Sequence, residues 1–481
     1  MPKSKLILIA AFIIYAISAV FNNGYYYYDE HYQIIEFADL KTGHNTPDDL
    51  PWEYNAKIRP AAQPAMAYVF LSLMRMIHIN DPYILMIILR LCTGIVALLI
   101  ITYFIKKTAH LINPDFRTWY SLLSYFLWFI PFVNVRFSSE SCAGLAFILS
   151  IALLYSDIKF RYLLIGCLLG VSFLFRFQTA FMSLGFILWL IFIHKILLKD
   201  LLKVLLGGSL ILLLGIGIDY WFYGSFTLTF YNYYVANVIH NVASNYGVYP
   251  WYFYFLNSTI DAFTPIGILI WLCIINLFIS HNKNFICWVI LPFLLIHMMT
   301  PHKETRFLFP LVNVLPLAIV LSLQDLSKFS FFNKRRLIYY VSSVLVIINL
   351  VALVITMLSP ADSKGRLNIM QTIHTQYKND KVKLWYVDMR NPYMPILINQ
   401  NFYRDENVSA EPLDVTLLNN FNNGVTNLIL IKTTDIANYQ HLLAPYQIKK
   451  IKSGIPEWIQ KIKTTTGYVD NSLTLFAVTW R

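Results

Sequence analysis

The sequence predicts an all-α, polytopic membrane protein that carries a small extramembrane α/β domain at its C-terminal end. Three observations predict this fold class. Only 13% of the 481 residues are charged and 57% are apolar, whereas soluble chains carry about 25% charged residues. Apolar runs long enough for membrane helices recur up to residue 358. The remaining residues, 359–481, are polar, with a helical pattern at 363–379 and strand-like patterns at 383–387, 428–431 and 472–480.

Eleven apolar segments are predicted to cross the membrane, because a helix needs about 20 apolar residues to span a bilayer. They are residues 6–22, 82–105, 118–133, 141–156, 162–178, 180–194, 203–219, 262–280, 284–300, 307–323 and 337–358. A further segment, 63–79, contains Arg75 and His78 and is predicted to lie on the membrane surface. The first segment is expected to be an uncleaved span, with a signal peptide as the alternative.

Positive charge predicts the orientation of these spans. If the N-terminus is cytoplasmic and 63–79 does not cross, most Lys and Arg residues of the short loops, including Lys106 and Lys107, fall on the cytoplasmic side. The outer face then receives the loops 23–81 and 219–261 and the C-terminal domain 359–481, while 1–358 forms the transmembrane domain. The short cytoplasmic loops favour a bacterial inner membrane with a periplasmic site, and an endoplasmic reticulum membrane is the alternative.

The composition argues against two other classes of site. The net charge of +12 does not indicate nucleic-acid binding, because the basic residues are scattered in short loops and form no basic face with interleaved aromatic residues. The five cysteines lie within or beside apolar runs and show neither metal-ligand spacing nor a disulfide framework. No metal and no cofactor is therefore predicted.

The first outer loop contains a cluster of acids. Four tyrosines precede Asp29 and Glu30, and Glu36 lies about two helical turns further on. Acids at a membrane boundary are costly unless they are solvated or functional, so a wet interfacial loop and a functional site both explain this stretch. The same loop also contains Trp52, Glu53 and Arg59, and Glu140 and Arg176 stand at the outer ends of two later spans.

The most specific cluster of ionisable residues is the turn His302-Lys303-Glu304-Thr305-Arg306-Phe307, between two apolar segments. Lys303 and Arg306 are three residues apart, which on a helical turn places them on one side. Two cations in a low-dielectric setting form a good receptor for a phosphate. A polar hairpin turn without function is the alternative, but such a turn more often carries Ser, Asn or Gly.

Together, these groups suit the transfer of a sugar from a lipid phosphate. The phosphate leaving group gains negative charge in the transition state, and cations placed there stabilise it. The attacking hydroxyl must lose its proton, and a carboxylate can accept it. Lys and Arg alone can neutralise a monophosphate, so this chemistry requires no metal. We therefore predict a membrane glycosyltransferase whose donor is anchored in the bilayer.

These residues resemble the motifs of glycosyltransferase family 22. That family has the GT-C fold and includes the mannosyltransferases of glycosylphosphatidylinositol-anchor assembly and the dolichyl-phosphate-mannose-dependent enzymes of N-glycan assembly. The turn 302–307 is similar to the family's His-Lys-Glu-x-Arg-Phe signature, and the resemblance extends over residues 25–310. Tyr28 and Pro60 depart from the Pro and Ser that are usual at these positions. The other similar stretches are Asp29-Glu30 with Gln33 and Glu36, Trp52-Glu53-Tyr54 with Arg59, 219–224 and 247–252.

The resemblance implies an inverting mannosyltransferase that moves mannose from a polyprenyl- or dolichyl-phosphate donor to a glycan or glycolipid acceptor. Asp29 would be the base, with Glu30 beside it in the catalytic site. The donor phosphate would be bound by His302, Lys303, Arg306 and Arg59, and the sugar and acceptor by Glu36, Trp52, Glu53 and Tyr252. A different donor sugar is one alternative. A non-catalytic sugar-binding protein is another, as is a transporter or flippase for lipid-linked glycans, which would need ionisable residues at mid-membrane depth.

Overall fold

The structure of the protein, a computed structural model, describes residues 3–328, 335–362, 364–413, 424–444, 446–465 and 471–480. The chain divides into two compact units, each built from separate stretches of sequence. The first unit comprises Met1–Ser18, Ala56–Ala65 and Arg90–Val354. The second comprises Ala19–Asn55, Met66–Leu89 and Ile355–Arg481.

The chain is helical up to residue 358. The helices are α1 Lys3–Phe21, α2 Tyr28–His31, α3 Phe37–Thr42, α4 Trp52–Asn55, α5 Ala62–Met76, α6 Pro82–Thr108, α7 Arg117–Phe126, α8 Phe129–Asn134, α9 Ser139–Leu154, α10 Arg161–Phe175, α11 Thr179–Phe192, α12 Leu198–Tyr223, α13 Thr229–Tyr234, α14 Phe253–Asp261, α15 Thr264–Ser280, α16 Phe285–Met299, α17 Leu315–Leu326 and α18 Arg335–Leu358. A π turn over Tyr32–Glu36 and a 3-10 helix over Thr305–Leu311 matter for the site described below.

Several of these helices can cross a membrane. Among the described residues, four are long and apolar enough to do so, namely Ser4–Phe21, Pro82–Leu111, Leu198–Tyr223 and Tyr339–Leu358. The number rises to six if each of two bent pairs, α15 with α16 and the 3-10 helix with α17, counts as one span. The shorter apolar helices α9, α10 and α11 accompany them. The chain is therefore a multi-pass membrane protein, but this count does not confirm eleven spans.

The predicted span 118–133 consists of two helices, α7 and α8, joined by extended backbone. Pro131 explains the break, because proline has no N–H and its ring clashes with the carbonyl four residues earlier. The Asn349 side chain accepts a hydrogen bond from the Trp128 N–H at 2.9 Å and donates one to the Phe126 carbonyl at 2.8 Å. One asparagine thus satisfies two backbone groups that the break exposes, as an apolar surrounding requires.

The predicted span 307–323 is also two elements. The 3-10 helix Thr305–Leu311 meets α17 at an angle of 73°. Pro310 lies inside the first element and Pro316 near the start of the second. Because a proline is tolerated in the first turn of a helix but not in its interior, Pro316 marks the start of a new helix.

Close helix contacts hold the first unit together. A Cβ added to Gly166 of α10 would collide with the Val204 carbonyl of α12, and a Cβ added to Gly207 of α12 would collide with the Leu163 carbonyl of α10. Small residues allow the backbones of two membrane helices to approach this closely. These two glycines therefore fix the packing of α10 on α12.

The second unit contains a mixed sheet of five strands among the described residues, in the order β2-β1-β3-β5-β4. The elements are α19 Arg366–Gln376, β1 Val382–Tyr386, β2 Val408–Pro412, β3 Thr426–Lys432, α20 Ile436–Leu443, β4 Tyr446–Ser453, α21 Glu457–Thr465 and β5 Leu473–Trp480. β1 pairs in parallel with β2 and β3, and β5 pairs antiparallel with β3 and β4. The core contains Trp385, Ile429, Ile431 and Val478. The three predicted strands correspond to β1, β3 and β5, whereas β2 and β4 were not predicted.

Candidate functional site

The two acids of the first loop lie in the second unit, on the short helix α2. Asp29 and Glu30 occupy its first turn, and both are half-buried. The Glu30 carboxylate accepts a hydrogen bond from the Tyr26 N–H at 3.0 Å, which turns it back towards the run of tyrosines. Glu30 therefore fixes the entry to the helix.

A buried pair, His31 and Glu36, follows the acids. The π turn over Tyr32–Glu36 brings His31 Nε2 to 2.8 Å from Glu36 Oε1. Glu36 also accepts hydrogen bonds from Asn45 Nδ2 at 2.6 Å and from the Phe402 N–H at 3.3 Å, and it has no exposed surface. Its carboxylate is thus engaged by protein donors, and its predicted contact with sugar or acceptor stays a prediction.

The His31 ring is stacked between two tyrosines. Its centroid lies 5.0 Å from that of Tyr25 and 5.2 Å from that of Tyr403. Burial raises the pKa of the Tyr25 hydroxyl further above physiological pH, so the Tyr25 ring is neutral. The sequence-based predictions did not include His31. The available signal was a titratable side chain directly after the acid pair and five residues before another acid.

A hydrogen bond joins the second motif of the loop to the first. The Gln33 side-chain amide donates to Glu53 Oε1 at 3.1 Å. Glu53 is buried on α4, whereas its neighbour Trp52 is exposed. Gln33 and Glu53 therefore connect the two motifs of this loop within the second unit.

The predicted phosphate-binding turn lies in the first unit and forms a network of opposite charges. His302 Nε2 is 2.8 Å from Glu304 Oε1, and Glu304 is also hydrogen-bonded to Arg306. Glu140 Oε1 lies 3.5 Å from Arg306 Nη1 and 3.3 Å from Arg176 Nη1. Glu140 and both arginines are buried. One carboxylate from α9 therefore holds two guanidinium groups at the turn.

Glu140 and Arg176 were each expected only as residues at the end of a span. The structure shows that both contribute to the charged turn, which sequence reasoning missed. α9 approaches the turn because it carries Gly144, where an added Cβ would lie 2.7 Å from the Pro310 carbonyl oxygen. The sequence signal was the presence of charges at the ends of otherwise apolar helices, since such charges need partners.

Lys303 is buried, and backbone carbonyl groups hold its ammonium. The ammonium donates to the carbonyls of Tyr249, at 2.9 Å, and Thr300. Burial lowers the pKa of Lys303. An ammonium has three N–H donors, of which these two carbonyls engage two, and the predicted contact of Lys303 with the donor phosphate stays a prediction.

Arg59 lies elsewhere in the first unit. Its guanidinium lies over the Tyr233 ring at 5.8 Å, and its carbonyl accepts a hydrogen bond from the Tyr223 hydroxyl at 2.7 Å. The Tyr233 hydroxyl accepts a hydrogen bond from Gln178 Nε2 at 2.5 Å. Arg59 is thus linked through Tyr233 to the end of α10 that carries Arg176. The remaining predicted residue, Tyr252, is exposed and contacts the ring of its neighbour Trp251.

Metal-ligating side chains do not gather at either set of residues. In the described part of the chain, no group of three or more His, Cys, Asp or Glu side chains could hold a metal ion. The prediction that no metal or cofactor takes part stays a prediction.

A multi-pass helical fold with an acid-bearing first loop and a buried cationic turn defines a class, the membrane glycosyltransferases of the GT-C fold. Solved structures support this fold. ArnT from Cupriavidus metallidurans, bound to undecaprenyl phosphate, aligns with a TM-score of 0.56 over 98% of this chain and 97% of ArnT, at 13% identity. ArnT in the apo state aligns with a TM-score of 0.51 over the same shares, at 12% identity.

Sequence comparison places the chain within this class. Residues 6–392 match the model of the Alg9-like mannosyltransferase family. The chain belongs to this family, which confirms the predicted resemblance and the prediction of a mannosyltransferase enzyme.

Curated relatives carry related names. GPI mannosyltransferase 3 of Debaryomyces hansenii is 26% identical over 398 residues, which are 77% of this chain and 67% of the relative. GPI alpha-1,2-mannosyltransferase 3 of Danio rerio is 24% identical over 366 residues, which are 72% of this chain and 62% of the relative. The chain thus spans about three fifths to two thirds of the length of these curated relatives.

Proposed function

We propose that the chain is an inverting transferase that moves mannose from a polyprenyl- or dolichyl-phosphate carrier to a hydroxyl of a glycan or glycolipid. The bond between the anomeric carbon and the phosphate oxygen breaks, and the acceptor oxygen bonds to that carbon from the opposite side. The acceptor's proton passes to Asp29, and the carrier leaves as a phosphate with one further negative charge. Lys303 and Arg306 stabilise that charge.

The observation that carries this proposal is the buried turn around Arg306 in a chain of the mannosyltransferase family. Arg306 is buried and is held by Glu140 and Glu304, so it is kept in place before any donor arrives. Preorganised cations aimed at developing charge need no rearrangement during the reaction. His302 and Arg59 are proposed as further contacts to the donor phosphate, and Trp52, Glu53 and Tyr252 as contacts to the sugar and acceptor. Glu30 is proposed to lie beside Asp29 in the catalytic site, and Glu36, whose carboxylate is engaged by protein donors, to position the sugar- and acceptor-binding residues.

The comparisons support the class of donor and acceptor. ArnT, which has the same fold, was solved bound to undecaprenyl phosphate, and a polyprenyl phosphate is the leaving group of the proposed reaction. The relatives are named GPI mannosyltransferases, which supports a glycolipid acceptor. We therefore propose an α-mannoside as the product and a membrane-anchored acceptor.

The proposed topology has eleven spans, a cytoplasmic N-terminus, and the active site and C-terminal domain on the outer face. The distribution of Lys and Arg supports it. A bacterial inner membrane is favoured over the endoplasmic reticulum, because the cytoplasmic loops are short. A reporter fused after residue 358 in membrane vesicles distinguishes the two sides, and a cytoplasmic reporter would overturn this topology.

The reaction is tested with the full chain in proteoliposomes. Dolichyl- and undecaprenyl-phosphate mannose are offered as donors, with the same carriers bearing glucose as competitors, and a glycolipid of the GPI type is offered as acceptor. Asp29→Asn should lower the rate of mannose transfer about 10²–10⁴-fold, the usual contribution of a general base. Asp48→Asn is the matched control, because Asp48 is an exposed acid of the same loop outside the proposed site.

The outcomes separate the parts of the proposal. An Asp29→Asn variant that inserts, folds and transfers mannose at the native rate would show that Asp29 is not the base. Transfer of glucose in preference to mannose would overturn the donor sugar, and failure with every lipid-phosphate donor would overturn the function itself.

A further inference from the structure

The segment between α12 and α15 differs in composition from the other long loop. Residues 220–260 contain no Asp, Glu, Lys or Arg, whereas the loop 23–81 contains twelve. Sixteen of these 41 residues are Phe, Tyr or Trp, although aromatic residues make up 16% of the whole chain. Tyr and Trp with little charge are typical of a membrane interface rather than of a loop in water.

The local structure is too short to cross a bilayer. The segment contains the helices α13 and α14, a π turn over Val235–Ile239 and a 3-10 helix over Val242–Tyr246. The longer helix, α14, has nine residues, whereas a spanning helix needs about 20. A helix that does not cross the bilayer and has one apolar face can lie in the plane of the interface.

The outward side of the segment is apolar. Phe226 is 72% exposed, Val248 is 69% and Trp251 is 62%. On α14, Leu256 and Ile260 are four residues apart, share one face and are both exposed, while the inward Tyr254 is buried. Large apolar side chains left exposed along one segment indicate an interaction site when they lie together on the surface.

We infer that residues 224–263 lie in the outer-leaflet interface of the bilayer, with these side chains among the lipid chains. The flanking helices support lipid as the occupant, because α12 is a candidate span and α15 belongs to a bent pair that qualifies as one. Both ends of the segment therefore join helices that can cross the membrane, and the single charged side chain between them, Asp261, stands at its end next to α15.

The position of residues 224–263 bears on the candidate turn 302–307. This step rests on the proposed function. Lys303 donates to the Tyr249 carbonyl at 2.9 Å, and the Tyr249 N–H donates to the Pro301 carbonyl at 3.0 Å. The segment and the turn are thus joined by one backbone hydrogen bond and by one from the Lys303 side chain to a backbone carbonyl. The Lys303 ammonium is held at the depth of lipid headgroups, so a phosphate on a membrane-anchored carrier meets it while the polyprenyl chain stays in the leaflet.

The inference is tested with single cysteines in a chain whose five natural cysteines are replaced by alanine. Val248→Cys and Leu256→Cys are the test variants, and Asp48→Cys in the charged loop is the control. Each is reconstituted into liposomes and treated with a charged, membrane-impermeant maleimide, with labelling normalised to the denatured protein. We expect both test positions to react at least tenfold more slowly than position 48.

A second measurement distinguishes burial in lipid from burial in protein. An environment-sensitive fluorophore is attached to the same cysteines in detergent before reconstitution, and nitroxide-labelled lipids are then added. We expect strong quenching by a nitroxide near the start of the acyl chain at positions 248 and 256, and little at position 48. Fast maleimide labelling, or slow labelling without quenching, would overturn the inference. Either result leaves the transferase proposal standing, because that proposal is tested by product formation.

Discussion

Glu140 connects three helical elements of the first unit, and we predict that Glu140→Gln destabilises this unit strongly. Its carboxylate lies 3.3 Å from Arg176 and 3.5 Å from Arg306. At an effective dielectric constant of 20, each contact corresponds to about 5 kcal/mol of attraction before desolvation is considered. Glutamine keeps the size of the side chain and removes the charge, so two buried guanidinium groups lose this partner.

The net effect is smaller than the attraction, because forming the pair already cost desolvation. Removing one partner of a buried ion pair typically destabilises a protein by about 3–5 kcal/mol. Glu304 still pairs with Arg306, so we expect the lower half of this range. The rate of mannose transfer should fall as well, with a lower kcat, because Arg306 is less firmly held where charge develops in the transition state.

The assay is unfolding of the purified chain in detergent, with the double variant Glu140→Gln/Arg176→Gln completing a thermodynamic cycle. Removing both charges should restore part of the stability, with a coupling energy of about 0.5–3 kcal/mol. The control is Glu457→Gln, which breaks an exposed ion pair with Lys450 and should leave stability unchanged. A loss below about 1 kcal/mol for Glu140→Gln, or strictly additive single variants, would refute the reasoning.

Two further predictions concern packing and pH. Gly207→Ala should destabilise the chain by about 1–3 kcal/mol in thermal unfolding, because its Cβ would meet the Leu163 carbonyl. Gly217→Ala on the same helix meets nothing within 4 Å and should not destabilise; equal effects would contradict this packing. Because burial lowers the pKa of Lys303, the folded chain binds fewer protons than the unfolded chain just below pH 10.5. Stability should therefore rise with pH in that window while donor affinity falls. If the donor affinity of the native chain does not change with pH and matches that of the Lys303→Arg variant at every pH, this prediction is wrong.

The sequence was sufficient to predict the class of fold because burial in lipid leaves a strong compositional signal. The sequence was less informative about the boundaries of the spans, because a single residue can determine where a helix ends. Pro131 divides one predicted span, and Asn349, far away in sequence, satisfies the exposed backbone groups. No local pattern connects these two residues. The strands β2 and β4 were missed for a related reason, since β4 has mostly exposed residues and lacks the apolar run that indicates a buried strand.

The site was predictable where its residues are adjacent in sequence and much less so where they meet through folding. The turn 302–307 and the acids at 29–30 are local clusters of charge, so composition alone draws attention to them. Glu140 and Arg176 are single charges on separate helices, and only the close packing of α9 against the 3-10 helix brings Glu140 to Arg306. His31 escaped notice because its bond to Glu36 depends on a π turn, which a regular helical spacing does not predict.

The charge balance of the first unit explains how a buried turn can both fold and bind a phosphate. The less exposed part of the turn holds three cations, Lys303, Arg306 and Arg176, and two carboxylates, Glu140 and Glu304, while Asp261 accepts a hydrogen bond from Thr305 at its exposed edge. A cluster of cations alone would repel itself in a low dielectric, and full neutralisation would leave nothing to attract an anion. One excess positive charge satisfies both requirements, because the carboxylates stabilise the empty turn and the remaining charge favours a phosphate. On this argument Glu140→Gln should harm folding through excess repulsion rather than through lost packing. Because salt screens buried charges only weakly, the variant should be rescued by the second change Arg176→Gln and not by raising the salt concentration, and neither should rescue Gly207→Ala.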